Sequence, residues 1–209
     1  MVRKVPTSPR KRPRQQRSRA TVEAILEATA RVLAADGLEA ASTNRVAAVA
    51  GVSVGSLYQY FPNREALVHA LFERHVRRAE AARPAALGGG AERPIEADLR
   101  GTMRAAVDWH LAMHAEEPAL HQELTTHAQR ILGTETLRAF ERFRAEQVRG
   151  RLEAHRDAIR PRDLALAAFI VATCLEAVTH AAVVHHPEMF SGPDLASELT
   201  ELLVRFLER

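Results

Sequence analysis

Apolar positions recur every three or four residues along most of the chain, the period of a helix with one buried face, and no run alternates with the two-residue period of a half-buried strand. From Ala20 onward Val22, Ile25, Leu26, Thr29, Val32 and Leu33 form such a stripe, with Ser18 as the expected N-cap and Asp36-Gly37 as the stop. A short helix is predicted from Thr43 to Ala50, capped by Ser42 or Thr43 and ended by Gly51. A second follows Ser53 and carries Leu57 and Phe61; Pro62-Asn63 then breaks it and opens a longer helix through Leu67, Leu71 and Phe72. Further helices are predicted at 94–116, 118–132, 134–159, 162–184 and 194–208, with Glu117-Pro118, Gly133-Thr134, Arg160-Pro161 and His186-Pro187 between them. The fold class predicted is all-α, with about nine helices.

Composition narrows the class. The 209 residues are 46% hydrophobic and 26% charged, which excludes wholesale disorder and suffices for one sizeable core or two small ones. Cys174 is the single cysteine, so neither an intrachain disulfide nor a thiolate-rich zinc cluster can form, and a reducing cytoplasm fits. The basic N-terminus has no apolar run, so no secretory signal peptide is expected. Leu164 to Val184 has the length of a membrane span and only Glu176 as a charge. Its seam of Leu164, Ala168, Val171, Leu175, Val178 and Ala182 instead reads as helix pairing, and no membrane partner is expected.

The net charge of +3 is unevenly spread: residues 1–65 carry 11 Lys/Arg against 5 Asp/Glu, and the remainder is net acidic. Three prolines and eight basic residues in positions 1–19, with no acid, predict a flexible basic arm over 1–18 that neutralises phosphates. A solvated tail is the plainer alternative. A polyanion-binding module over 19–65 and a helical body over 66–209 complete the expected organisation.

The segment Thr43 to Phe61 reads as two short helices hinged at Ala50-Gly51-Val52, a helix-turn-helix in which Val46, Val49, Val52, Leu57 and Phe61 form the core. That leaves Val54, Gly55, Ser56, Tyr58, Gln59 and Tyr60 to point outward, a set with no charge and two tyrosines. Small residues permit close approach to base edges, Ser and Gln can hydrogen-bond there, Val54 can touch a thymine methyl, and tyrosine hydroxyls suit phosphate oxygens. Thr43 and Ser53 are also caps, Tyr58 could be partly core, and Arg64 could be a solvated charge.

Thr43…Val46-Ala47…Ala50-Gly51-Val52-Ser53…Leu57-Tyr58-Gln59-Tyr60-Phe61-Pro62-Asn63-Arg64-Glu65-Ala66-Leu67 resembles the TetR family of bacterial transcriptional regulators over about residues 18–72. The resemblance implies a homodimer, a helical ligand-binding and dimerisation domain, a double-stranded DNA operator with an inverted repeat, and release by a small-molecule inducer. By position it implies that Thr43, Tyr58, Tyr60 and Arg64 hold phosphates, while Asn44, Val54, Gly55, Ser56 and Gln59 read or approach bases beside Ser53. Arg14, Arg17 and Arg19 would enter a neighbouring minor groove. Gly55 and Ser56 offer few contacts, which shifts discrimination towards Asn44, Gln59 and the arm. A repressor is the reading adopted; an activator or a ligand-independent regulator is the variant of it.

In the body, the seam on helix 162–184 is matched on the last helix by Leu195, Leu199, Leu202 and Phe206, so that two copies would form a four-helix bundle, with an intrachain core as the alternative. The opposite face holds Phe169, Thr173, Glu176 and His180. With Trp109, His110, Met113, His114, His121, Leu124, Phe140 and Phe143 these residues are expected to line an amphiphilic ligand pocket, unless they are simply core. Glu176 and the rings would favour an apolar, aromatic or cationic molecule.

Among ten histidines, His110 and His114 have a zinc-compatible spacing, but no zincin glutamate lies between them and no Glu-x-x-His occurs, so no metal and no cofactor is expected. A helical enzyme with a basic tail is the rival class. It lacks a nucleophile elbow and a carboxylate pair, and Cys174 lies in an apolar helix, so no catalytic residue is assigned.

Overall fold

The computed structural model describes residues 16–82, 98–190, 192 and 194–208, leaving aside the side chains of Gln16, Arg17 and Ala79. Residues 1–15 of the expected arm and the expected connector at 84–90 lie outside that set. Ten α-helices run through the described chain: α1 (Gln16–Asp36), α2 (Thr43–Ala50), α3 (Val54–Tyr60), α4 (Arg64–Ala81), α5 (Leu99–Glu116), α6 (Pro118–Thr126), α7 (Ala128–Ala154), α8 (Leu164–His185), α9 (Pro187–Phe190) and α10 (Asp194–Leu207). A 3₁₀ turn at Leu38–Ala40 joins α1 to α2. The fold is all-α, as the spacing predicts. Ser18 does not cap α1, which already begins at Gln16, and the four-residue α9 is too short for its period to show in the sequence.

By packing the chain forms two units, one of residues 1–78 with 119–134, the other of 79–118 with 135–209. In the first, the head, Ile25, Leu26, Val32 and Leu33 of α1 meet Leu67, Val68 and Leu71 of α4, with Leu57 and Phe61 closing the core. Leu120 and Leu124 of α6 belong to this same core, which extends the head beyond the 19–65 stretch that the sequence marks out. Two of the buried polar groups here are tied down by hydrogen bonds to the backbone of α1. Thr29 donates to the Ile25 carbonyl at 2.7 Å, and the buried Arg74 donates to the Leu26 carbonyl at 3.3 Å and meets Glu23 and Glu27.

In the second unit, the body, α5 packs against α8 and α10. Leu99, Met103 and Val107 of α5, Val148 and Leu152 of α7, Ala168, Val171 and Leu175 of α8, and Leu199, Leu203, Val204 and Leu207 of α10 fill the core. Helix α8 starts where Asp163 accepts the Ala165 and Leu166 amides at 2.9 and 3.0 Å. It is long and apolar enough to cross a membrane by length and composition, yet one of its faces is the core of the body. Within α7 the backbone breaks at Gly133, where φ is 75°, a left-handed conformation that glycine adopts without a Cβ clash. The break falls at the Gly133-Thr134 boundary read from the sequence.

Candidate nucleic-acid interface

The helix-turn-helix is built from local signals that the sequence states openly. Ser42 accepts the Arg45 amide at 3.2 Å and so starts α2; Gly51 ends it with φ 68°, where the Val52 amide returns to the Ala47 carbonyl at 3.1 Å. No atom lies within 4 Å of where a Gly51 Cβ would stand, so conformation rather than space demands glycine there. Ser53 accepts the Ser56 amide at 3.1 Å and starts α3, and its hydroxyl also meets that of Ser56 at 2.8 Å. Asn63 accepts the Ala66 amide at 2.8 Å and starts α4.

These caps orient the candidate surface. Leu57 is fully buried, which turns Val54, Gly55, Tyr58 and Gln59 of α3 outward; Asn44 is exposed on α2. The Tyr58 hydroxyl lies 3.1 Å from Thr43 Oγ1, joining the start of α2 to α3 through a pair of hydroxyl groups that still have capacity for a phosphate oxygen. Ser53 and Ser56 are engaged in capping. Tyr60, predicted to point outward, is 9% exposed and packs in the head core, because it stands three residues from Leu57 on the buried side of the helix. Arg64 faces Glu39 at 3.4 Å and Glu65 at 3.9 Å. Arg19 is exposed on α1, while the Arg17 side chain and Arg14 lie outside the described set.

The sequence reading passes over Arg45, the one cation of α2, whose side chain is 57% exposed and pairs with Asp36 at 3.3 Å. Its position next to Asn44 was the available signal. It also passes over Glu39 and Arg130, which meet at 2.6 Å although 91 residues apart, a pairing that no local pattern announces.

The body corrects two expectations. On α8, Ala168, Val171 and Leu175 are each 1% exposed and Ala182 is buried, so this seam is an intrachain core; Leu199 of α10 joins it, and Leu164 and Val178 are half-buried. The apolar side chains that α8 and α10 leave in solvent include Leu166 at 55%, Phe169 at 59% and, on α10, Leu202 at 54%, flanked by half-buried Leu195 and Phe206; Phe143 of α7 and Met189 of α9 are exposed as well. Phe169 and Thr173, expected to line a pocket, are exposed, and Leu124 is core of the head.

Phe140, Glu176, His110 and His114 lie near one another within the body. Glu176 accepts from Arg144 at 2.5 Å, and that guanidinium lies over the Phe140 ring, 5.2 Å from its centre. His110 is buried and its Nδ1 is paired with the Ala106 carbonyl at 2.9 Å; burial pushes its pKa down to about 4, against the pull of Glu176. Burial likewise lowers His114, whose Nδ1 meets the His110 carbonyl at 2.7 Å. Trp109 packs edge-on against His110, Met113 and His180 are half-buried, and buried His121 meets His75 in the head at 3.3 Å. A groove of about 460 Å³ between α7 and α8 is lined by Arg142, Phe143, Glu146, Arg149 and Ala165, among others, and shares only Phe143 with the expected pocket.

A capped helix-turn-helix that presents an uncharged second helix, on an all-α chain with a separate helical body, defines a DNA-binding regulator. Residues 25–71 match the family of bacterial regulatory proteins named tetR, and residues 98–207 match the tetracyclin repressor-like C-terminal domain. The chain belongs to the TetR family. The HTH-type transcriptional repressor DrrR1 of Streptomyces coeruleorubidus is 35% identical over 103 residues, 48% of this chain and 37% of that protein, so the match spans well under half of that relative. Among solved structures, a TetR family transcription regulator from Marinobacter aquaeolei is similar at a TM-score of 0.71 and 21% identity over 93% of this chain and 99% of the other. A complex of SmeT with triclosan is similar at a TM-score of 0.71 and 19% identity over 91% and 92%. At such identities the likeness is one of fold.

Proposed function

We propose that this chain is a ligand-responsive transcriptional repressor of the cytoplasm, acting as a homodimer on an inverted-repeat operator. The observation that carries the reading is α3: its outward side is small and hydrogen-bonding, without charge, and it is braced to α2 by the Thr43–Tyr58 hydroxyl contact. Such a side fits the major groove, where Asn44, Val54, Gly55 and Gln59 approach bases while Thr43, Tyr58 and Arg64 take phosphates, with Arg45 added to the set. The dimer reading draws on Leu166, Phe169 and Leu202, large apolar side chains exposed on a single chain. Two copies would carry their reading helices to half-sites roughly 34 Å apart.

The inducer reading draws on the ionisable groups of the body, Arg144, Glu176, His110 and His114, and on the triclosan held by SmeT. An inducer releases DNA only as far as it prefers the conformation that does not bind, and DNA must weaken inducer binding reciprocally. Selection of bound sequences from a random DNA pool at two salt concentrations tests the reading. A palindromic consensus is expected, with Gln59→Ala changing the preferred sequence and Arg64→Ala weakening all sequences alike. Salt-sensitive binding without a consensus would overturn it.

A further inference from the structure

The turn between α1 and α2 is held firmly despite its position at the surface. Leu38 is buried in the head core, and its amide donates to Glu123 Oε2 at 2.9 Å. Gly37 takes φ 79°, and the Glu123 carboxylate stands 3.6 Å from where its Cβ would be. The backbone of Glu39 is thus anchored, although its side chain is 73% exposed. Its two oxygens are divided between two cations. Oε1 accepts from Arg130 at 2.6 Å, in the opening turns of α7, and Oε2 accepts from Arg64 at 3.4 Å. Both guanidinium groups hold the Glu39 carboxyl below its ordinary range, Arg130 foremost.

A carboxylate shared in this way grips its second cation loosely, and a DNA phosphate competes for that cation. We propose that Glu39 restrains the Arg64 phosphate contact, and that Arg130, by occupying Glu39, decides how much of Arg64 is left for DNA. Residue 130 would then govern DNA affinity without itself touching DNA. The inference rests on the DNA-binding reading above. It differs from simple surface electrostatics in one respect: the effects of the three residues depend on one another.

The test is a set of double-mutant cycles in the full chain, measured on the selected operator at low salt, where exposed pairs are least screened. Glu39→Gln is expected to tighten binding and Arg130→Ala to weaken it, each by about two- to fivefold, the size of an exposed ion pair. Arg130→Ala should lose its effect in the Glu39→Gln background, and Glu39→Gln should lose its effect in the Arg64→Ala background, with sequence preference unchanged throughout. Additive effects would show that each charge acts on DNA by itself and would overturn the proposal while leaving the DNA-binding reading intact. A wild-type chain that binds no DNA would overturn both. Should Arg64→Ala bind too weakly to measure, hydrogen exchange of the Arg64 guanidinium followed by NMR without DNA decides: slower exchange in Arg130→Ala than in wild type supports the proposal, and equal exchange overturns it. Thermal unfolding of each variant verifies that the head remains folded.

Discussion

Helices α3 and α8 each turn an uncharged face to solvent, and the faces differ in kind. That of α3 is small and polar, with Gly55, Tyr58 and Gln59 beside a single exposed valine. That of α8 is apolar, with Leu166 and Phe169 more than half exposed. Hydrogen-bonding groups without charge keep their hydration cheaply and exchange it for base edges; large apolar groups lose by staying in water and gain from any apolar cover. On the function proposed above, lack of charge has two meanings, one for a nucleic acid and one for a second copy of the chain.

The largest effect expected is on α8. Replacing Leu166 and Phe169 together by Asp should convert the proposed dimer to a folded monomer, read by sedimentation, because two unpaired carboxylates from each copy cannot be buried across a symmetric interface. Gln59→Ala should leave the oligomeric state untouched; if it dissociates the dimer, the division of labour between the faces is wrong. Next comes the support beneath α3: Phe61→Ala, at a site 1% exposed, should cost about 3–5 kcal/mol in denaturant unfolding and abolish DNA binding.

A smaller effect belongs to the body. His110 has a folded pKa of about 4 against an ordinary 6.5, so the unfolded chain takes up its proton first as pH falls. Stability associated with this residue is full above pH 6.5 and lost progressively towards pH 4, by roughly 3 kcal/mol. Unfolding followed at stepped pH should show that loss, and His110→Phe should flatten the window; an unchanged profile would mean that other groups carry it. The smallest effect is at the hinge, where Gly51→Ala should cost about 1–2 kcal/mol by forcing a Cβ into the left-handed region.

Local structure was legible because its causes are local. Ser42, Gly51, Ser53 and Asn63 act within three or four residues of themselves, so the sequence displays both the cap and what it caps. The inward turn of Tyr60 was missed although its spacing from Leu57 was available, since a tyrosine beside a reading helix suggests an outward position. On α8 periodicity could not choose a side. Leu164 to Val184 is apolar nearly all round, so two stripes satisfy the same spacing, and the one through Val171 and Leu175 proved to be intrachain core. The Glu39–Arg130 pair was invisible for another reason: it joins surfaces 91 positions apart and rewards no pattern in either.

The absence of charge from α3 has a consequence for how such a regulator would evolve. On the DNA-binding reading proposed above, the protein is retained on arbitrary sequence by its phosphate contacts, among them those of Arg45, Tyr58 and Arg64, and Val54, Gly55 and Gln59 add no charge to that retention. Exchange of Val54, Gly55 or Gln59 would therefore redirect the protein to a new site without altering its dwell time on all the others. After a gene duplication, two descendants could part ways in the promoters they address while searching the chromosome at the same pace.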